Sequence, residues 1–313
     1  MLALVGRRLL VSLPVVLLVS LLTFVFVSFL PGNPAEEILG PEASEAAVAE
    51  LTEQLGLNQP LWMQYWNWLV KAVGGDLGTS IYTGQPVVEV LGDRLPVTLS
   101  LIVLATLVSA TLGITLGTLS AVRGGLLGRA LDVTSMLGFA VPNFWLALVL
   151  VNIFALALHL LPPNGYRPLE DGPGDWLRYL ALPVVTLAIG GVAAIAKQTR
   201  ESMLDTLSRD YVDALRAQGI PNRRVVVRHA LRNASVPVIT VVGLIFVGQL
   251  GGAVLVEQVF VLPGLGTLAI TATTQHDLPI IQGVAVTFVL IVVAVNLLVD
   301  LAYGWLNPKV RVS

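Results

Sequence analysis

Six stretches of this chain, between 18 and 29 residues long, contain no Asp, Glu, Lys or Arg. They are Leu9–Leu30, Pro96–Val122, Val133–Leu161, Tyr179–Ala196, Ala234–Val256 and Ile280–Val299. Apolar runs of about 20 residues are long enough to cross the roughly 30 Å hydrocarbon layer of a bilayer as helices. Lipid offers no partner to a peptide group, so each run must satisfy its own backbone hydrogen bonds, which a helix does. The alternating pattern of a membrane β-barrel is absent. With 55% hydrophobic and 12% charged residues over 313 positions, and a mean hydropathy of +0.82, the composition departs from that of soluble domains. The expected class is therefore all-α and polytopic, with six transmembrane helices.

The first run is too long for the apolar region of a cleaved signal peptide, and no A-x-A site follows it. Arg7-Arg8 is read as an orientation signal rather than a twin-arginine leader. The chain has no cysteine, which excludes internal disulfides and thiolate metal sites.

Lys and Arg accumulate in cytoplasmic loops. With the N-terminus inside, the inner segments hold Arg7, Arg8, Arg123, Arg129, eight basic residues between Lys197 and Arg232, Lys309 and Arg311, which is 14 of the 18 in the chain. Lys71, Arg94, Arg167 and Arg178 fall outside. Both termini are expected in the cytoplasm. The longest outer segment, Pro31–Leu95, carries nine acids and two bases. Trp62, Tyr65, Trp66 and Leu69 within it recur at helical spacing. An amphipathic helix there could lie among the outer headgroups, or it could dock an external partner.

Catalytic signatures are missing. His159, His229 and His276 sit in separate segments without metal-ligand spacing, no metal site is expected, and no G-x-S-x-G occurs. There is no P-loop, so any ATP must be used by a partner. Gly113-x3-Gly117 is a close-packing motif for membrane helices. Gly190-Gly191 and Gly248-x2-Gly251-Gly252 either do the same or loosen helices that move. Asn152, Gln249 and Asn296 are polar groups in apolar spans. They bond neighbouring helices or line a pathway. Glu257 and Asp300 stand at span ends, where carboxylates are expected to be solvated or snorkelling.

One cytoplasmic stretch is unlike the rest. Between Lys197 and Arg232 stand eight basic and four acidic residues. Leu204, Leu207, Tyr211 and Leu215 recur at helical spacing and predict one apolar stripe. Asp205 with Arg209 and Asp213 with Arg216 are placed to pair along a helix. Gly219 followed by Pro221 predicts a firm stop. The result is a short amphipathic helix over about 205–220. It either rests on the anionic inner leaflet or is offered to a cytoplasmic protein, with Ala214 and Ala217 allowing close approach.

At these residues the chain resembles the membrane subunits of bacterial ABC importers. Their cytoplasmic loop places an acid, two small residues, and a glycine six positions after the acid. "DALRAQG" matches at Asp213, Ala214 and Gly219, with Leu215 departing from the second alanine. "FLPGNPAEEILG" (29–40), "LGLNQPLWMQYWNWL", "GDLGTS" (75–80), "VPNFWLAL" (141–148), "LLPPNGY" (160–166), "RHALRNASVP" (228–237) and "EQVFVLPGLGTLAI" (257–270) are similar to the B-type permease of the dipeptide, oligopeptide and nickel group. "QHDLPIIQG" is a looser match.

The resemblance implies the type I importer permease fold with six spans, N-in and C-in. Residues 1–95 would hold the first span and the extracytoplasmic segment, 96–306 a five-helix core, and 307–313 a cytoplasmic tail. It implies a multi-pass subunit of the bacterial inner membrane, in contact with lipid, that moves di- or oligopeptides. Its partners would be a related C-type permease, one fused or two separate ATPase subunits, and an extracytoplasmic peptide-binding protein; no nucleic acid is expected. ATP and Mg would sit on the ATPases and no cofactor on this chain. Leu207, Tyr211, Asp213, Ala214, Leu215, Ala217 and Gly219 would form the ATPase-coupling helix. Trp62, Tyr65 and Trp66 would belong to the docking surface for the binding protein. Nickel or another small solute is the alternative cargo. An ion-coupled secondary transporter is the alternative mechanism, against which the uncharged spans argue.

Overall fold

The computed structural model describes residues 2–29, 34–40, 42–126, 128, 130 and 141–306. Among the described residues every extended element is a helix, and strand-like pairing is confined to one bridge between Thr79 and Pro86. In chain order the helices are α1 (Leu2–Ser28), α2 (Pro34–Leu39), α3 (Glu45–Gln54), α4 (Leu61–Val73), α5 (Val87–Arg123), α6 (Asn143–Leu150), α7 (Pro173–Leu207), α8 (Asp210–Ala217), α9 (Leu231–Phe260), α10 (Leu265–Thr274) and α11 (Leu278–Leu306). Helix α6 continues as a π-helix over Val151–Ala157, and a second π-helical stretch, Val225–Ala230, leads into α9.

Five helical stretches are long and apolar enough to span a bilayer: Gly6–Ser28, Val87–Arg123, Pro173–Leu207, Asn222–Phe260 and Leu278–Trp305. They coincide with five of the six uncharged runs. The remaining run, Val133–Leu161, is represented by Asn143–Ala157. Its first part, 133–140, lies outside the described residues, as do Arg129, Lys309, Arg311 and the tail 307–313.

The chain divides into two compact units, Met1–Thr98 with Pro263–Ala294, and Leu99–Leu262 with Val295–Ser313. In the first unit Val87 and Leu91 of α5 pack with Leu265 and Ala272 of α10 and with Ile280 and Val284 of α11. Gly283 makes this closeness possible, because a Cβ there would sit 2.5 Å from Val87 Cγ1. Buried polar ties complete the unit. Ser80 Oγ donates to Asp277 Oδ2 at 2.5 Å, Leu265 N donates to Thr98 Oγ1 at 2.8 Å, and Gln282 Nε2 donates to the Ser20 carbonyl at 2.7 Å.

In the second unit the Gly113-x3-Gly117 motif packs as its spacing predicts. A Cβ on Gly113 would lie 2.8 Å from Ile195 Cβ of α7, and one on Gly117 would run into the backbone carbonyl of Ala196. Gly191 and Gly252 are likewise filled against Ser109 and Asn143, while Gly248 and Gly251 face open space. Only some of the glycines read as packing residues therefore pack. Near the end of α7, Met203 joins Ala121, Val226, Ala230 and Ala234 in a second apolar cluster.

Candidate functional site

The polar stretch after α7 folds differently from one continuous helix over 205–220. Helix α7 ends at Leu207, Arg209 is extended (φ −83°, ψ 142°), and α8 restarts at Asp210. Leu204 and Leu207 thus belong to the end of the span, and the predicted stripe is split. Both predicted ion pairs form. Arg209 reaches Asp205 at 2.7 Å across the break, and Arg216 reaches Asp213 at 3.2 Å.

Helix α8 is short and sharply two-sided. Val212 is fully buried, Tyr211 and Leu215 are half-buried, and Asp210, Asp213, Ala214 and Ala217 are exposed. Its inner side packs on the π-helical stretch Val225–Ala230. Asn233 Nδ2 donates to the Tyr211 hydroxyl at 2.9 Å, tying α8 to the first turn of α9. The predicted stop is present in full. Gly219 has φ +78°. Gly219 N donates to the Arg216 carbonyl at 2.9 Å, and Ile220 N to the Leu215 carbonyl at 3.2 Å. These two bonds close orphan carbonyls at a helix end. Of the seven residues singled out in the sequence, Asp213, Ala214, Ala217 and Gly219 are exposed, whereas Tyr211 and Leu215 face inward with Val212. Sequence reasoning missed Val212 and Asn233. The register that reveals Val212 begins only at the restart at Asp210.

On the outer segment, Trp62, Tyr65 and Trp66 share α4 but not one role. The Tyr65 hydroxyl lies 2.9 Å from Ser20 Oγ of α1, and its ring meets Phe24 edge-on at 5.6 Å. Trp62 and Trp66 stay exposed.

The three polar residues of the spans also separate. Gln249 is buried, accepting from Thr106 Oγ1 at 2.8 Å and donating to the Leu187 carbonyl at 3.4 Å, so it joins α9, α5 and α7. Asn152, in the π-helical stretch, and Asn296 of α11 are exposed. π-Helical segments concentrate at functional sites, and a polar side chain has no business facing acyl chains.

Glu257 departs from the expectation of a solvated span end, because it is fully buried. The helix continues past it to Phe260 and then turns through Val261 in the left-handed region. Position along the span therefore did not reveal its depth in the packing. His159 and His276 both stand at helix ends with positive φ, 52° and 54°.

The comparisons with known proteins agree along the whole chain. Residues 113–312 match the family described as the inner membrane component of binding-protein-dependent transport systems, and residues 1–102 match the N-terminal family of the same membrane components. A probable peptide ABC transporter permease of Sinorhizobium fredii is 42% identical over 97% of this chain and 98% of its own length. An oligopeptide transport system permease of Bacillus subtilis is 38% identical over 99% of this chain and 100% of its own. A glutathione transport system permease of Escherichia coli is 38% identical over 99% of each.

Proposed function

Because the chain belongs to the family of inner membrane components of binding-protein-dependent transport systems, we propose that it is the B-type permease subunit of an ATP-driven importer of peptides. It is a multi-pass membrane protein and a transport subunit. The cargo reading rests on relatives named for peptide, oligopeptide and glutathione transport. Six spans with both termini in the cytoplasm follow from the charge bias together with the partly described third run. A second, C-type permease supplies the other half of the pathway. One fused or two separate ATPase subunits bind below and hold ATP and Mg, and an extracytoplasmic peptide-binding protein delivers cargo from above.

The observation that carries the coupling assignment is the outward face of α8. Asp213, Ala214 and Ala217 leave a shallow surface, flanked by Arg216 paired with Asp213, suited to a groove that grips the helix closely. Val212 and the Tyr211–Asn233 bond hold that surface from behind, so a push on α8 reaches α9. Leu207, at the end of α7, and Leu215 are proposed to support this surface from within. Asn152 and Asn296 are proposed to face the pathway, with Gln249 bracing the helices that form its wall. Trp62, Tyr65 and Trp66 serve binding-protein docking by fixing α4, Tyr65 doing so through α1.

Gly219 tests the coupling. A side chain there has open space around it but must adopt a left-handed backbone, at a cost of about 1–2 kcal/mol for most residues. Asn tolerates that conformation. Gly219→Arg, or a Trp at Ala214, should abolish peptide uptake and substrate-stimulated ATPase activity while the transporter stays in the membrane. Gly219→Asn should keep most of both. Full uptake by the Arg and Trp variants would sink the assignment.

A further inference from the structure

Helix α4 has three faces, and two of them are occupied within its own unit. Tyr65 turns toward α1, its hydroxyl on Ser20 and its ring on Phe24, and the half-buried Trp68 ring lies 6.0 Å from it. Gln64, Asn67 and Lys71 line a cavity of about 690 Å3 together with Glu53 and Asp76. There Gln64 Nε2 donates to the carbonyl of Gln59 at 2.8 Å, and Asn67 Nδ2 to its side-chain oxygen at 3.2 Å. The third face has no such use. Trp62, Trp66, Val70 and Val73 are 68%, 60%, 57% and 83% exposed. At about 100° per residue they fall within an arc of roughly 80°, a continuous apolar ridge along the helix. Contiguous apolar surface of this kind marks a contact with something apolar.

The depth of α4 says what that is. Its contacts on α1 are Phe24 and Ser20, four and eight residues before the end of the apolar span at Ser28. That is about 6 and 12 Å along the helix axis. Independently, Gln282, one turn into α11, is bonded to the same Ser20, so the span beginning at Leu278 starts near this level too. Both contacts thus lie within about 12 Å of a span end, in the half of the roughly 30 Å layer nearest that end. Leu18, Leu21 and Leu22 of α1 are exposed beside Ser20 and extend the apolar surface.

We propose that α4 is an interfacial anchor, with the ridge Trp62–Trp66–Val70–Val73 seated in phospholipid of the outer leaflet and the Gln64–Asn67–Lys71 face turned to water. Tryptophan favours this depth, where its ring is covered and its N–H meets headgroups. A helix with one such face lies in the plane of the interface, about 5–10 Å deep. The lateral hold keeps the polar face open toward the side from which a binding protein arrives. The word outer rests on the orientation proposed above; the placement of α4 at the ends of two spans does not.

The natural chain has no cysteine, so single cysteines can be introduced directly. Trp62, Trp66, Val70, Val73, Gln64, Asn67 and Lys71 are each replaced by Cys and carry a nitroxide, in the assembled, transport-competent complex in lipid nanodiscs. Collision rates with oxygen and with a water-soluble nickel complex are then measured. The ridge positions should show an oxygen-to-nickel ratio at least about threefold above the polar positions, as expected for a helix half sunk in the interface. If a Trp→Cys variant fails to assemble, Val70→Cys and Val73→Cys carry the test. Nickel accessibility on the ridge equal to that of Gln64, Asn67 and Lys71 would place it in water and overturn the proposal. Ridge positions shielded from both reagents, in the complex alone or after adding the binding protein, would mean a protein occupant and overturn it equally. Failure here would leave the coupling role of α8 untouched, since Gly219 is read by uptake and ATPase activity.

Discussion

Helices α4 and α8 are both short, both amphipathic and both outside the long spans, yet they dispose of their apolar sides in opposite ways. Helix α8 turns Val212, Tyr211 and Leu215 inward and shows small and charged residues outward. Helix α4 turns Tyr65 onto α1 and leaves four large apolar residues exposed. An apolar stripe establishes that a segment is a helix with a preferred side. It does not establish whether the protein or its surroundings takes that side. The neighbours decide. Helix α8 lies on the π-helical stretch Val225–Ala230, which has apolar surface to offer. Helix α4 packs on α1, and one helix covers only one face.

The contrast breaks most severely at Val212. An Asp there would place an uncompensated carboxylate where the side chain is fully buried, at a cost of about 3 kcal/mol or more. Helix α8 should detach, and uptake should fall to background in vesicles that still contain the protein. The matching change on α4, Val70→Asp, affects a residue that is 57% exposed. It should leave the detergent-purified complex as heat-stable as the wild type. If both variants lower thermal stability equally, the two helices are not opposite cases.

Tyr65→Ala ranks next. It removes the bond to Ser20 and the edge contact with Phe24, together worth about 2 kcal/mol. Tyr65→Phe keeps the ring contact and should lose only about 1 kcal/mol. Thermal unfolding of the complex in detergent separates them, because there the α1 contact acts without help from a bilayer. Equal stability of the two variants would show that α1 does not hold α4.

Which parts of this were legible in the sequence follows the range of the interactions. Five spans could be read because a run without charge needs no knowledge of its neighbours. Asp205–Arg209, Asp213–Arg216 and the stop at Gly219 are contacts within one or two turns, and each forms as its spacing predicts. The break at Ser208–Arg209 was not legible, since neither residue forbids a helix, and it resets the register that makes Val212 the buried position. Glu257 was read from its place along the span, but its burial is set by the helices packed around it. Gly252 and Gly248 look alike in sequence and share one side of α9, and only their different heights along the helix give one a neighbour and the other open space. Likewise Tyr65 and Trp66 are adjacent in the same pattern, and only the position of α1 assigns one inward and one outward.

The smallest expected effect on stability is also the one that isolates function. Asp213 pairs with Arg216 on an exposed surface, and such i,i+3 pairs contribute about 0.2–0.5 kcal/mol. Asp213→Asn should therefore leave the unfolding temperature within error of the wild type. If the outward face of α8 is gripped by a partner, the lost charge changes that contact while the fold stays intact. Uptake should then drop by roughly tenfold, as for removal of one charged member of an interface. Arg216→Gln removes the same intramolecular pair without removing the acid. It should cost as little stability and much less uptake. Equal losses of uptake in the two variants would mean that the pair, rather than the acidic face, matters, and α8 would then be no more an offered surface than α4.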